Sequence, residues 1–300
     1  FGIDCSFLAT GFRSATYVER QAELCAIAAH NFPALDLNHI SVRNDDGVAY
    51  LEAMSPVNCI FLDPARRNEH GGKTVAISDC EPNVAELEGL LLSKANRIMI
   101  KLSPMLDLSQ ALKELPHTQE VHIISVNNEC KELLLLLGQT APEEIPVHCV
   151  NLSTKGEQEK QLFVFTREQE QHSECSYTDT LGNYLYEPNA SLLKAGAFRS
   201  IAAAYSVKKL HPNSHLYTSD TQIEGFPGRT FRIINRCSLN KKEIKENLSD
   251  LKKANITVRN FPATVAELRK RIKLAEGGDT YLFASTLNDG QKILIRCGKV

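Results

Sequence analysis

The sequence predicts an α/β fold, with a mostly parallel sheet closed by an antiparallel hairpin and followed by small α+β modules. Three observations predict it. The apolar run Val57-Asn58-Cys59-Ile60-Phe61-Leu62 stops at Asp63-Pro64, as a buried parallel strand does at its carboxyl end. Strand-like runs at 147–152 and 161–166 are separated by a polar turn too short for a crossover helix, so they must pair antiparallel. From residue 229 onward the pattern reads β-α-β-α-β-β.

Taken in order, the chain opens on Phe1-Gly2-Ile3-Asp4 and a helix, then runs into Tyr17-Val18-Glu19-Arg20, a strand that ends in an acid. A third unit follows in Ile40-Ser41-Val42-Arg43-Asn44-Asp45-Asp46, with Tyr50-Leu51 behind it. After the Asp63-Pro64 strand come a Gly-rich loop at 68–73, a helix at 83–93 opened by Pro82, and a strand at 97–102 closed by Ser103-Pro104. A strand at 120–126 and a helix at 129–137 precede the hairpin. Residues 167–178 are polar and read as a linker or strand edge. A helix at 191–205 follows, and the last module places strands at 230–234, 256–260, 280–285 and 292–296 with helices at 241–253 and 265–274. The expected domains are 1–166, a small intervening α+β module at 167–228, and 229–300.

Composition bounds the class. With 300 residues, 43% hydrophobic and 23% charged, the chain is an ordinary globular protein with room for two domains. No apolar run approaches the roughly 18 residues of a membrane span; Leu133 to Leu137 reads as a helix core. No secretory signal is expected, and nine cysteines without a Cys-x-x-Cys pair suit a reduced, cytoplasmic protein. His211 and His215 have an i, i+4 spacing, but Pro212 and Asn213 make that segment a turn, so no metal site is expected.

The net charge of −2 hides an asymmetry. Residues 229–300 carry 16 Lys/Arg against 7 Asp/Glu, or +9, which leaves −11 for residues 1–228. A basic module on an acidic body points to a polyanion partner, because Lys and Arg neutralising phosphates supply most sequence-independent affinity for nucleic acid. A solvated charged helix face is the competing reading. Lys252, Lys253, Arg269, Lys270 and Arg271, on or beside the two helices, are the RNA-binding candidates.

An acid followed by Pro at a strand end resembles the Asp/Asn-Pro-Pro-x tetrad of class I S-adenosylmethionine-dependent methyltransferases, which holds the atom to be methylated. Here it reads Asp63-Pro64-Ala65-Arg66, with Ala65 where many tetrads have a second proline. Glycine loop, acid, acid and tetrad follow one another over about 65 residues, each at the end of a strand-like run. The whole chain is similar to a bacterial family of methyltransferase-like proteins whose C-terminal part is THUMP-like, after an RNA-binding domain of tRNA-modifying enzymes. The residues that carry this are Gly2-Ile3-Asp4, Tyr17 to Arg20, Phe61 to Arg67 and Ile256 to Arg271.

The resemblance implies a Rossmann-like methyltransferase sheet and S-adenosylmethionine as cofactor. Gly2 and Asp4 would belong to the cofactor loop, since glycine lets the backbone approach the ligand closely. Glu19 would accept the ribose hydroxyls, as acids do in dinucleotide folds, and Asp45 or Asp46 would meet the adenine amino group. Register with Tyr50-Leu51 favours Asp46. The family's loop begins with further glycines after a first strand, and this sequence starts at Phe1, so an incomplete cofactor floor and weak activity of this chain are expected.

Methyl transfer to nitrogen needs donor, methyl and lone pair aligned and a proton discharged. Asp63 would accept a hydrogen bond from the target amine, the Pro64 and Ala65 carbonyls would share that task, and Arg66 would contact a phosphate or base face. Carbon-5 methylation needs a cysteine nucleophile near these strand ends, and Cys59 lies inside its strand. The expected function is methylation of an amine nitrogen in a tRNA or rRNA base. A non-catalytic RNA-binding protein on the same scaffold is the alternative. A nicotinamide dehydrogenase would leave the tetrad and the hairpin unexplained.

Overall fold

The computed structural model describes residues 2–66, 76–154 and 160–300; the Gly-rich loop expected at 68–73 and Arg67 lie outside the described residues. The chain forms two compact units. The first comprises Phe1–Ile100, Ser109–His117 and Leu136–Thr140, the second Lys101–Leu108, Thr118–Leu135 and Ala141–Val300.

In the first unit, helix α1 (Ile3–Leu8) leads to strand β1 (Ala15–Glu19), helix α2 (Ala22–Ala34), strand β2 (Ile40–Asn44) and helix α3 (Gly47–Ala53). β1 and β2 pair in parallel, joined by α2. Ala28 and Phe32 on α2 pack on Ala9 and Ile40, with Tyr17 edge-on to Phe32 at 5.7 Å. Strand β3 (Val57–Leu62), ribbon strands β4 (Ala65–Arg66) and β5 (Cys80–Glu81), helix α4 (Val84–Lys94), strand β6 (Ala95–Leu102) and helix α5 (Leu108–Glu114) follow. β3 pairs in parallel with β6, Leu62 opposite Ile100. Asn83 caps α4 by accepting the Ala85 N–H at 3.2 Å, where the sequence placed the helix start. The strand expected at 57–62 and the helix and strand that follow it are present.

The second unit contains strand β7 (Thr118–Val126) and most of β8 (Glu129–Gly138), then β9 (Pro146–Leu152), β10 (Lys160–Thr166) and helix α6 (Arg167–His172). β9 and β10 pair antiparallel, as the turn length required. β7 and β9 pair in parallel.

Two expectations fail here. Residues 129–137 form a strand, not a helix: Leu133, Leu135 and Leu137 are buried while the residues between them are only half-buried, a period of two. Asn127 and Asn128 both have positive φ (51° and 65°), the turn geometry that joins two antiparallel strands with the right twist. A run of leucines has no period of its own, so the turn decided the outcome. Residues 167–172 form a helix rather than a linker. Thr166 and Gln169 close a capping box at its start, a signal that was present in the sequence.

Beyond them lie β11 (Tyr184–Pro188), α7 (Ala190–Ala195), α8 (Arg199–Tyr205), β12 (Lys208–Lys209) and β13 (Tyr217–Ser219). The single helix expected at 191–205 is broken at Gly196, which ends α7 with φ 76°. The chain closes with β14 (Gly228–Cys237), α9 (Lys241–Leu248), β15 (Asn255–Val258), α10 (Val265–Ile272), β16 (Thr280–Thr286) and β17 (Lys292–Lys299), the β-α-β-α-β-β order read from the sequence. Strands β11 to β17 form one sheet in the order β12-β13-β11-β14-β17-β16-β15. Leu185, Phe231, Phe283 and Ile295 fill one of its cores; Leu248, Leu268, Leu282 and Leu294 fill another.

Glu187 on β11 is 1% exposed and accepts ion-paired hydrogen bonds from Arg229 and from Arg259, the latter at 2.9 Å. Removing Glu187 takes away the carboxylate that both guanidinium groups are bonded to. Because the two arginines left behind are 38% and 37% exposed, Glu187→Ala is expected to destabilise the protein by about 1.5–3 kcal/mol, the range for hydrogen bonds to charged groups, in urea denaturation. A loss under about 1 kcal/mol would mean that water already satisfies these arginines.

Candidate cofactor and acceptor site

Because β1 and β2 are parallel, their carboxyl ends share one edge, with Glu19 opposite Asn44. Glu19 is the last residue of β1, and its Oε1 accepts the Gln21 N–H at 2.8 Å, which fixes the turn into α2. Asn44 Nδ2 donates to the Glu19 and Arg20 carbonyls at 2.9 and 3.0 Å. The Asp45 N–H donates to the Glu19 carbonyl at 3.2 Å, so the two expected acid positions adjoin.

Asp46 does a local job. Its Oδ1 accepts the N–H groups of Val48 (2.9 Å) and Ala49 (3.0 Å) as the cap of α3. Those two bonds, Ala49 foremost, with a smaller contribution from the Arg20 charge, hold its carboxyl below the usual range. Asp45 Oδ1 accepts the Asp46 N–H at 2.8 Å.

Gly2 has φ +69° and sits against the aromatic pair of the first core. A Cβ at this position would lie 2.6 Å from Phe32 Cζ and 3.6 Å from Tyr17 Cε2. Both the backbone and the packing thus require glycine, and the contact sets Gly2 against the ring edges of Phe32 and Tyr17. Asp4 is half-buried in the first turn of α1.

Asp63 and Pro64 follow β3 directly, and Asp63 is exposed. Ala65 and Arg66 turn back as β4 against β5, with Ala65 opposite Glu81 and Arg66 opposite Cys80. Arg20, next to Glu19, reaches Glu81 with Nη1 3.2 Å from Oε1. Both side chains are more than half exposed, so the pair contributes little stability. Its value is positional: it ties the end of β1 to the ribbon that carries Ala65. Glu19 and Asp45 lie at the carboxyl end of the β1-β2 pair, and the Asp63-Pro64-Ala65 segment lies at the carboxyl end of β3. Arg20, Asn44 and Glu81 were not among the sequence candidates, because their roles exist only once strands 20 to 60 residues apart are side by side.

The basic candidates belong to the second unit. Arg269 is 20% exposed; it donates to the Ala254 carbonyl at 3.3 Å and lies 3.8 Å from Glu276. Arg271 donates to the Leu239 carbonyl at 2.8 Å. Both arginines fasten α10 to neighbouring loops. Lys252, Lys253 and Lys270 are exposed.

Comparison with known proteins adds the class. A family model described as a ferredoxin-like domain matches residues 184–227, and one described as THUMP domain-like matches residues 228–299. No curated protein matches the chain. Among solved structures, the chain is similar to a "putative methyltransferase from Porphyromonas gingivalis W83", with a TM-score of 0.90 and 37% identity over 100% of this chain and 75% of that one. The fold and this neighbour define a Rossmann-like methyltransferase. The chain belongs to the methyltransferase family with a C-terminal THUMP-like domain. No helix among the described residues is long and apolar enough to cross a membrane.

Proposed function

We propose that the protein is an S-adenosylmethionine-dependent methyltransferase acting on an amine nitrogen of an RNA base. The observation that carries this is the placement of the Asp63-Pro64-Ala65-Arg66 segment at the carboxyl end of parallel strand β3, linked through Glu81 and Arg20 to Glu19. Ligands of open α/β sheets bind outside those ends.

The residues present fit the cofactor's ribose. Glu19 Oε1 is occupied by the Gln21 N–H, and among the described residues nothing donates to Oε2, which is left for a hydroxyl. Asp45, whose backbone is bonded to Glu19, is assigned to the adenine amino group, with Asp46 as the alternative that would have to share its cap. Gly2 and Asp4 line the approach. S-adenosylmethionine, once bound, supplies an activated methyl group. The chain then has to position the acceptor: Asp63 accepts a hydrogen bond from the amine and points its lone pair at the methyl, with the Pro64 and Ala65 carbonyls beside it. Arg66 is assigned to the phosphate or the base face. A base within a duplex has to be flipped out or already unpaired. The basic residues of 229–300 are assigned to docking the RNA, in keeping with the THUMP-like match there.

Glu19→Gln tests the cofactor half of this reading. It should weaken S-adenosylhomocysteine by about 1–3 kcal/mol, roughly 5- to 150-fold, in calorimetry on the full-length protein. Unchanged affinity in a folded variant removes Glu19 from the site.

A further inference from the structure

β7 and β9 lie side by side in parallel, with His122 opposite His148. Along a strand, residues i and i+2 face the same way, so Glu120 joins the two histidines on one half-exposed face. On the opposite face, Val121, Ile123, Val147 and Cys149 are buried. The imidazoles stack at 4.4 Å with 7° between their planes. His122 Nε2 is 3.1 Å and His148 Nε2 3.9 Å from the same atom, Glu120 Oε2. Three donor atoms from two strands thus converge within 4.8 Å of one another.

We propose that Glu120, His122 and His148 form a binding site for a borderline divalent transition-metal ion, of which Zn²⁺ is the type. Imidazole and carboxylate are the donors such ions prefer, whereas Mg²⁺ and Ca²⁺ take oxygen ligands. Zinc–ligand bonds of about 2.0–2.2 Å put donors roughly 3.3 Å apart in a tetrahedron; because an imidazole binds an ion in its own ring plane, the two stacked rings turn out of their parallel arrangement for both nitrogens to converge on it. Side-chain exposures of 27% and 26% for the histidines and 46% for Glu120 leave a fourth position open to solvent, for water or an oxygen anion. The flanking residues on this face, Ile124, Val150 and Val164, are apolar, and Val164 is opposite His148 on β10. They bring no competing charge. The inference stands independently of methyl transfer.

The full chain, stripped with chelator and dialysed, is titrated with Zn²⁺ alone by calorimetry, and with Co²⁺ while its visible spectrum is recorded. One saturable site per chain is expected, with the intense visible bands of four-coordinate Co²⁺ and a rise in Tm on adding Zn²⁺. His122→Ala and His148→Ala should each weaken Zn²⁺ about 100-fold or more, beyond what loss of an outer partner costs. Glu120→Gln, which preserves shape, should weaken it and alter the Co²⁺ spectrum. His172→Ala, at the exposed pair with Glu168, should change nothing. Absence of a saturable site in the unaltered chain, or binding that survives both histidine substitutions, overturns the proposal and leaves the cluster as two imidazoles braced on a carboxylate.

Discussion

Asp63→Ala is expected to reduce methyl incorporation into RNA about 100-fold or more, while S-adenosylhomocysteine affinity stays within a few-fold of the unaltered protein. The asymmetry follows from position. Asp63 follows β3 directly and leads into the β4 ribbon, whereas the ribose candidate Glu19 ends β1 and is fixed by its own turn. An acid that orients the acceptor amine contributes to alignment, where a misplacement of about 1 Å costs roughly 100-fold. It contributes nothing to holding the donor. The checks are single-turnover transfer of labelled methyl to bulk RNA of the same organism and calorimetry with S-adenosylhomocysteine. Asp63→Asn keeps the volume and guards against a misfolded variant. Loss of transfer and cofactor binding together would show that Asp63 braces the loop.

The second large effect is expected in RNA binding. Log affinity falls by roughly 0.7 to 0.9 per neutralised phosphate for each decade of salt. If about four to six phosphates are neutralised, a fourfold rise in salt costs on the order of 10² to 10³ in affinity. Reversing three of the contributing charges should flatten that slope by two to three, by the same estimate. The structure selects which three. Arg269 and Arg271 are spent on the Ala254 and Leu239 carbonyls, so reversing them would disturb the fold as well as the charge. Lys252, Lys253 and Lys270 are exposed, and their joint replacement by Glu is the cleaner test. RNA affinity that ignores both salt and this triple reversal, measured by filter binding, would make the module a protein-contact or structural domain.

Much of this protein is legible from local signals. Asp63-Pro64 marks a strand end, Asn83 and Thr264 mark helix starts, and a turn of polar residues between 152 and 161 forces an antiparallel hairpin. Each is decided by residues within a few positions of one another, so a linear reading finds it. The run from Glu132 to Leu137 is different, because five consecutive leucines satisfy a helix and a strand equally well. The Asn127-Asn128 turn and the alternating burial of Leu133, Leu135 and Leu137 settle it as a strand.

The sequence by itself determined the α/β class, the order of the acids, the place of the Asp63 tetrad and the positive charge of residues 229–300. Only the tertiary structure decided which side chains do local work and which stay exposed. Asp46 is taken by the α3 cap, Arg269 and Arg271 by loop carbonyls, and Arg20 by Glu81, while Lys252, Lys253 and Lys270 stay exposed. Glu120 and His122 are two residues apart, but His148 joins them only through the register of β7 on β9. The physical reason is common to all of these. A side chain's chemistry is written in its residue type, but its hydrogen-bond partners come from chain segments tens of residues away, and strand register and helix docking fix which ones arrive.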